Sequence, residues 1–147
     1  MINDGKILLI KRNRGDYVGL WGLPGGKVEK NEHLKNAAQR EIKEETGIDT
    51  EFIKFNGIIS EHLTENNQVL KHFLLHVCTL KTLSNEFEIK GEGELRWFEL
   101  DKLKEDNEKI IPSDFCIIES MIKKSDKNYF NCIIEKKLDE HILRLFE

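Results

Sequence analysis

Residues Gly26 to Ile48 read GKVEKNEHLKNAAQREIKEETGI, and this stretch decides how the rest of the chain is interpreted. Helical periodicity begins near Glu32 and stops at Gly47, a natural left-handed C-cap. On a helical wheel of about 100° per residue, Leu34, Ala37, Ala38 and Ile42 share an apolar arc, opposite Lys35, Asn36, Gln39 and Lys43. Glu41 and Glu45, four apart, project from the middle of the apolar arc, and Glu44 lies at its edge. Unpaired buried carboxylates are unfavourable and like charges repel, so a positive group must face them. Lysine or arginine from elsewhere could serve, and a fully solvated set of glutamates is the plainest alternative. A divalent cation fits best, because oxygen donors converge from one helical turn and Mg²⁺ takes carboxylates, waters and substrate phosphates. The glycines of Pro24-Gly25-Gly26 let main chain come close to a bound group, so the Gly26 carbonyl is a further ligand candidate. Arg40 lies off the apolar arc, in reach of Glu44 or of Glu32, and is assigned an orienting role.

The chain around this helix has 147 residues, enough for one core without disulfides or a structural metal, so a single domain over 1–147 is expected. Lys plus Arg number 23 against 27 Asp plus Glu, a net charge of -4 that excludes the basic footprint of a nucleic-acid-polymer binder. Cys78, Cys116 and Cys132 each sit in an apolar run and read as reduced core residues. No apolar stretch reaches the ~20 residues of a membrane span and no signal peptide precedes the first strand, so the expectation is a cytoplasmic protein without a membrane partner. Asn3-Asp4-Gly5 looks like a hairpin turn with only Met1 and Ile2 ahead of it, which suggests a shortened N-terminus.

Outward from the helix, Lys6 to Lys11 reads as a buried strand. Phe52 to Ile59 and Val69 to Leu80 are strands, the second apolar on both faces as a central strand would be. Glu94 to Leu100 is a short strand. Ser113 can N-cap a helix through Phe115, Ile118, Met121 and Ile122, and about 129–146 alternates like a last hairpin. The mixture lacks a regular βαβ repeat, so the class is α+β, or an α/β sandwich around a mixed sheet. His72 and His76 are too far apart on a strand face for one metal and read as structural, and Trp21 and Phe73 as core more than base platforms.

Gly26, five residues, Glu32, seven residues, Arg40-Glu41-Ile42, one residue, Glu44-Glu45, one residue, Gly47-Ile48 resembles the Nudix box at every defined position. LLIKR, GLWGLPGGKVE and EGELRWFEL resemble Nudix sequences in the expected order, over about residues 5–122; the last hairpin lies outside the resemblance. The resemblance implies a Nudix-type α/β/α sandwich around a mixed sheet and hydrolysis of a nucleoside diphosphate linked to another moiety. Carried over by position, Gly26, Glu41, Glu44 and Glu45 would hold Mg²⁺ or Mn²⁺, with Glu44 or Glu41 as the general base and Arg40 beside them. A further acidic ligand is expected from a later loop, where Glu92 between glycines is the better candidate and Glu94 the lesser. Arg12 is a candidate for the substrate phosphates.

The substrate is less marked. The proline that often follows the box in ADP-ribose pyrophosphatases should fall near Leu63 and is absent, as is the tyrosine of dinucleoside polyphosphate hydrolases. Ile111-Pro112-Ser113-Asp114 falls where MutT-like members place a polar residue that reads a purine edge, so Asp114 is a substrate candidate; the alternative is an ordinary helix start. The leading expectation is a small nucleotide, a (deoxy)nucleoside triphosphate such as 8-oxo-dGTP, ahead of ADP-ribose or a nucleotide sugar. A non-catalytic Nudix-fold regulatory module is the reading of another class, and a homodimer stays open.

Overall fold

The computed structural model describes residues 1–83, 93–124 and 126–147, without the side chain of residue 108. The strands are β1 Ile2–Asn3, β2 Lys6–Lys11, β3 Trp21–Gly22, β4 Thr50–Glu65, β5 Gln68–Thr82, β6 Glu94–Glu99, β7 Tyr129–Lys137 and β8 Glu140–Phe146. The helices are α1 Leu34–Thr46 and α2 Pro112–Ile117; a 3₁₀ stretch, Leu100–Lys109, precedes α2, and a π-type stretch, Ile118–Lys124, continues it. One mixed sheet runs β3-β2-β1-β5-β4-β7-β8, with β6 on the other edge of β2. β1 on β5 and β7 on β4 are the parallel pairs. The sheet and its flanking helices match the expected α+β sandwich.

β2 is apolar from Ile7 to Ile10 because helices or loops cover both its faces: Ile7, Leu8 and Leu9 are all 0% exposed. Leu8 packs with Met1, Ile42, Ile48 and Leu80 under α1. Ile7 and Leu9 pack on the other face with Trp21, Phe98, Leu103, Ile110 and Ile118. A third cluster joins Ile59, Leu63 and Val77 to Ile117, Met121, Phe130, Cys132 and Ile134, so α2 and the turn after it lie on the face opposite α1. The three cysteines are free, and burial pushes all three thiols above their ordinary pKa.

Turn chemistry sets the hairpins. Asp4 and Gly5 have φ 46° and 73°, which lets β1 and β2 pair antiparallel as Asn3-Asp4-Gly5 suggests, with Ile2 opposite Ile7. Asn66 and Asn67, at φ 51° and 61°, do the same for the long β4–β5 hairpin. The last hairpin forms as read and joins the sheet through β7.

Three readings need correction. β5 is not covered on both faces: α1 covers only its C-terminal end, and Leu70 and Leu74 are 47% and 60% exposed. α1 starts at Leu34 rather than near Glu32, because Glu32 is taken up by Arg40 and by the Glu29 N–H. Ser113 is buried inside α2 and caps nothing; the N-cap is Ile111, with Pro112 at the first helical position, where its missing N–H is not needed.

Gly57 joins sheet and chain end, since its φ of 145° and a Cβ only 2.0 Å from the Asn128 carbonyl oxygen leave no room for a side chain. Gly57→Ala should therefore destabilise the fold by about 2 kcal/mol or more. Urea denaturation measures this, and an unchanged midpoint would mean that the segment around Asn128 yields freely.

Candidate active site

α1 presents its acidic residues as the wheel requires, and Arg40 organises them. Its guanidinium donates to both oxygens of Glu32, at 2.6 and 3.1 Å, to Glu41 at 2.9 Å, to Glu44 at 3.1 Å and to the Lys27 carbonyl at 3.0 Å. Arg40 thus reaches both partners proposed for it, and Glu41 as well. These bonds hold Glu32 below the usual carboxylate range and raise the Arg40 pKa further. Gln39, placed on the solvated face, instead donates to the Thr50 carbonyl at 2.5 Å.

Glu41 lies so close to Gly26 that a Cβ there would sit 2.2 Å from its Oε2. Only glycine leaves this carboxylate its place without a shift. Glu45 accepts the Gly25 N–H at 2.9 Å, and its pKa is raised by burial and by Glu41 against the pull of that N–H, Arg12 and Arg14. Glu41, Glu44 and Glu45 line one wall of a cavity of about 330 Å³ whose other wall is Ile10 to Arg14 at the end of β2. The Arg12 Nε is buried without a hydrogen-bond partner.

Among the described residues, no three His, Cys, Asp or Glu side chains converge closely enough to hold an ion as they stand. Glu44 follows Arg40 by one helical turn, so it turns to the guanidinium and is 60% exposed. The donor set nonetheless fits a hard divalent cation. Glu41 and Glu45 are oxygen donors whose mutual repulsion an ion would relieve, beside a main chain that only glycine can bring so close. Glu92 lies outside the described residues, and Glu94 forms a surface pair with Lys11 at 3.5 Å.

Asp114 is no ordinary helix-start residue. Its Oδ2 accepts the Leu23 N–H at 2.7 Å, and a Cβ on Gly22 would lie 2.8 Å from the same oxygen. Burial raises its pKa to about 7 against the Leu23 hydrogen bond, with Glu61 adding to the rise and Arg12 opposing it. Nearby, Glu61 on β4 is 2% exposed and accepts the Tyr17 hydroxyl at 2.9 Å. The reading of sequence passed over Glu61, although Ile59, Glu61 and Leu63 share one strand parity and a carboxylate between two core residues is the signal that picked out Glu41. Trp21 is core, edge-on to Phe98 at 5.2 Å. His72 binds Ser60 at 2.9 Å and packs edge-on against His62, a structural role.

Comparison with known proteins adds one decisive observation: the NUDIX domain model matches residues 1–118. The chain belongs to the Nudix family. It is 36% identical over 112 residues to the ADP-ribose pyrophosphatase of Methanocaldococcus jannaschii, a match covering 74% of this chain and 64% of that one. It is 27% identical over 146 residues to the oxidized purine nucleoside triphosphate hydrolase of Danio rerio, covering 95% and 90%. Against the Arabidopsis thaliana Nudix hydrolase 2 it spans only 37% of the relative's length. Among solved structures, a MutT protein of Bacillus halodurans shares the fold over 99% of this chain and 91% of its own, with TM-score 0.71 and 23% identity. A MutT NUDIX hydrolase of Burkholderia pseudomallei has TM-score 0.64 and 31% identity, over 81% and 90%. Among the described residues no helix is long and apolar enough to cross a membrane.

The Asp114 carboxyl makes stability depend on pH. Its folded pKa of about 7 lies above the ordinary value, so from about pH 4 to 7 the folded state holds a proton that the unfolded chain has lost. Stability due to this group therefore falls as pH rises through that window and levels off above it. Asp114→Asn cannot ionise, so its stability relative to wild type should climb between pH 4 and 7 in denaturation series. A difference independent of pH would place the carboxyl at its ordinary pKa.

Proposed function

We propose that this chain is a divalent-cation-dependent nucleotide pyrophosphohydrolase acting on a (deoxy)nucleoside triphosphate, with 8-oxo-dGTP as the leading substrate, and releasing the monophosphate and pyrophosphate. The observation that carries the reading is the cavity with glutamates on one wall and Arg12 on the other, beside a buried acid at Asp114. Cations and carboxylates on facing walls suit a metal-bound diphosphate, and Asp114 suits the edge of a base.

Glu41, Glu44, Glu45 and the Gly26 carbonyl would hold Mg²⁺ or Mn²⁺, with Glu92 as a further candidate. When bound, the metal neutralises phosphate charge and eases ionisation of a water. Arg12, on the wall facing the glutamates, binds phosphate oxygens through its guanidinium. Glu44 or Glu41 accepts the proton of the attacking water, and Arg40 fixes the direction in which both point. Asp114, held by the Leu23 N–H and near half-protonated at neutral pH, can donate to or accept from a purine edge.

The substrate assignment is supported by the Danio rerio relative, whose likeness runs through the last hairpin, and an ADP-ribose substrate by the higher identity of the archaeal relative over a shorter stretch. All box glutamates are retained, which favours an enzyme over a regulatory module.

Metal-dependent release of pyrophosphate or phosphate from a nucleotide panel tests the reaction. Glu45→Gln should keep the fold and lower turnover by about 100-fold or more, with weaker Mn²⁺ binding in titration; unchanged turnover and affinity would move the metal elsewhere. On 8-oxo-dGTP, dGTP, ADP-ribose and a nucleotide sugar, Asp114→Ala should lose about 1 to 3 kcal/mol of discrimination. A uniform change in kcat/KM across the four would end the assignment of Asp114 to the base.

A further inference from the structure

Among the described residues, Glu61 is a buried carboxylate with one oxygen left without a partner. It stands in the middle of β4 between Ile59 and Leu63, and the three are 0%, 2% and 1% exposed. A carboxylate at such a position needs a cation or a full set of hydrogen bonds. Glu61 has neither: Tyr17 satisfies Oε1 at 2.9 Å, while Oε2 is buried with no partner. No Lys, Arg or His forms an ion pair with it among the described residues. The titratable groups that do act with it are the Tyr17 phenol, the Asp114 carboxyl on α2 and the Cys132 thiol on β7, all acids. This cluster is therefore rich in acceptors and short of donors.

Its partner Tyr17 is placed there against its own preference. The residue has φ 62°, a left-handed conformation that an aromatic residue rarely adopts, in a loop that also turns at Gly15 and Gly19. Asp16 anchors the same loop to Lys71 at 2.7 Å, and the Tyr17 ring packs on His141 at 4.5 Å between centroids. The side walls are apolar: Leu20, Leu23, Phe73 and Leu143 pack against the cluster that contains Tyr17. Arg12 favours the ionised forms of both Asp114 and Glu45, which ties this acidic cluster to the glutamates of α1.

We propose that Glu61 is a second residue, besides Asp114, that selects the nucleobase, accepting an N–H of an exocyclic amino group on the carboxylate oxygen that Tyr17 leaves free. Tyr17 is its positioning residue. The inference rests on the nucleotide-binding reading above and adds to it a class of base, one that carries an amino group. An uncharged N–H donor on a flat ring completes Glu61 without a cation, and the apolar side chains around it suit the ring faces. A base offering only a carbonyl at the same place would set acceptor against acceptor.

The test compares bases that differ at the amino group: dGMP with dIMP, dCMP with dUMP and dAMP with dIMP, titrated calorimetrically into wild type, Glu61→Gln and Tyr17→Phe. Wild type should bind the amino-bearing member of at least one pair about 10- to 100-fold more tightly. Glu61→Gln can present an amide N–H₂ in place of the free oxygen and should bring that ratio below about 3-fold or reverse it. Tyr17→Phe should narrow it part of the way. Equal affinities within all three pairs in wild type, or an unaltered ratio in folded Glu61→Gln, would overturn the proposal. Should the Gln variant not fold, an unaltered ratio in Tyr17→Phe decides against it. Discrimination without hydrolysis of the triphosphates would sink the reaction proposed above and leave the role of Glu61 standing, whereas no nucleotide binding at all would sink both.

Discussion

Three carboxylates within five residues of one helix repel one another, and a single guanidinium holds two of them in place. Arg40 reaches Glu32 before α1, Glu41 and Glu44 on it, and the Lys27 carbonyl of the preceding loop. The planar fork of arginine can divide its donors among several oxygens in fixed directions, which a lysine ammonium cannot do with equal geometry. That grip fastens the loop from Gly26 to Glu32 onto the helix and holds Glu41 against Gly26. Glu45, outside the grip, takes the Gly25 N–H instead, so the loop is closed onto the helix at both ends of the acidic run.

The sheet brings the remaining groups to this helix from distant parts of the chain. Arg12 comes from the end of a strand buried on both faces, which fixes its backbone firmly. Glu61 comes from the long hairpin and Asp114 from the second helix, 91 residues away from the Leu23 amide that it accepts. The Ile111 N–H donates to the Trp21 carbonyl at 2.8 Å, so the start of α2 is tied to β3 by main chain as well as by the Asp114 side chain. The metal-side and base-side candidates thus share one scaffold, with Arg12 between them.

Much of this was legible in the sequence because it rests on local periodicity. The apolar run of KILLIK, the apolar arc of α1, the Gly47 cap and the Asn3-Asp4-Gly5 turn depend on near neighbours and emerge in the structure as expected. What escaped depends on contacts across the chain. The apolar outer face of β5 looked like that of a central strand because composition does not reveal how far a helix extends over it. Ser113 looked like a cap because Ser is a good cap, but Pro112 already fills the first helical position and leaves Ser113 inside. Asp114 and Glu61 could be seen as acids in apolar runs, but not that the fold brings the two carboxyls close enough to act on one another.

The thiols carry a consequence of a different kind. Peroxides attack the thiolate, and all three cysteines are held toward the thiol form by burial, Cys132 most strongly. The three cysteines are free, and none is held in the reactive thiolate form. The same packing that builds the core thereby keeps its cysteine chemistry slow.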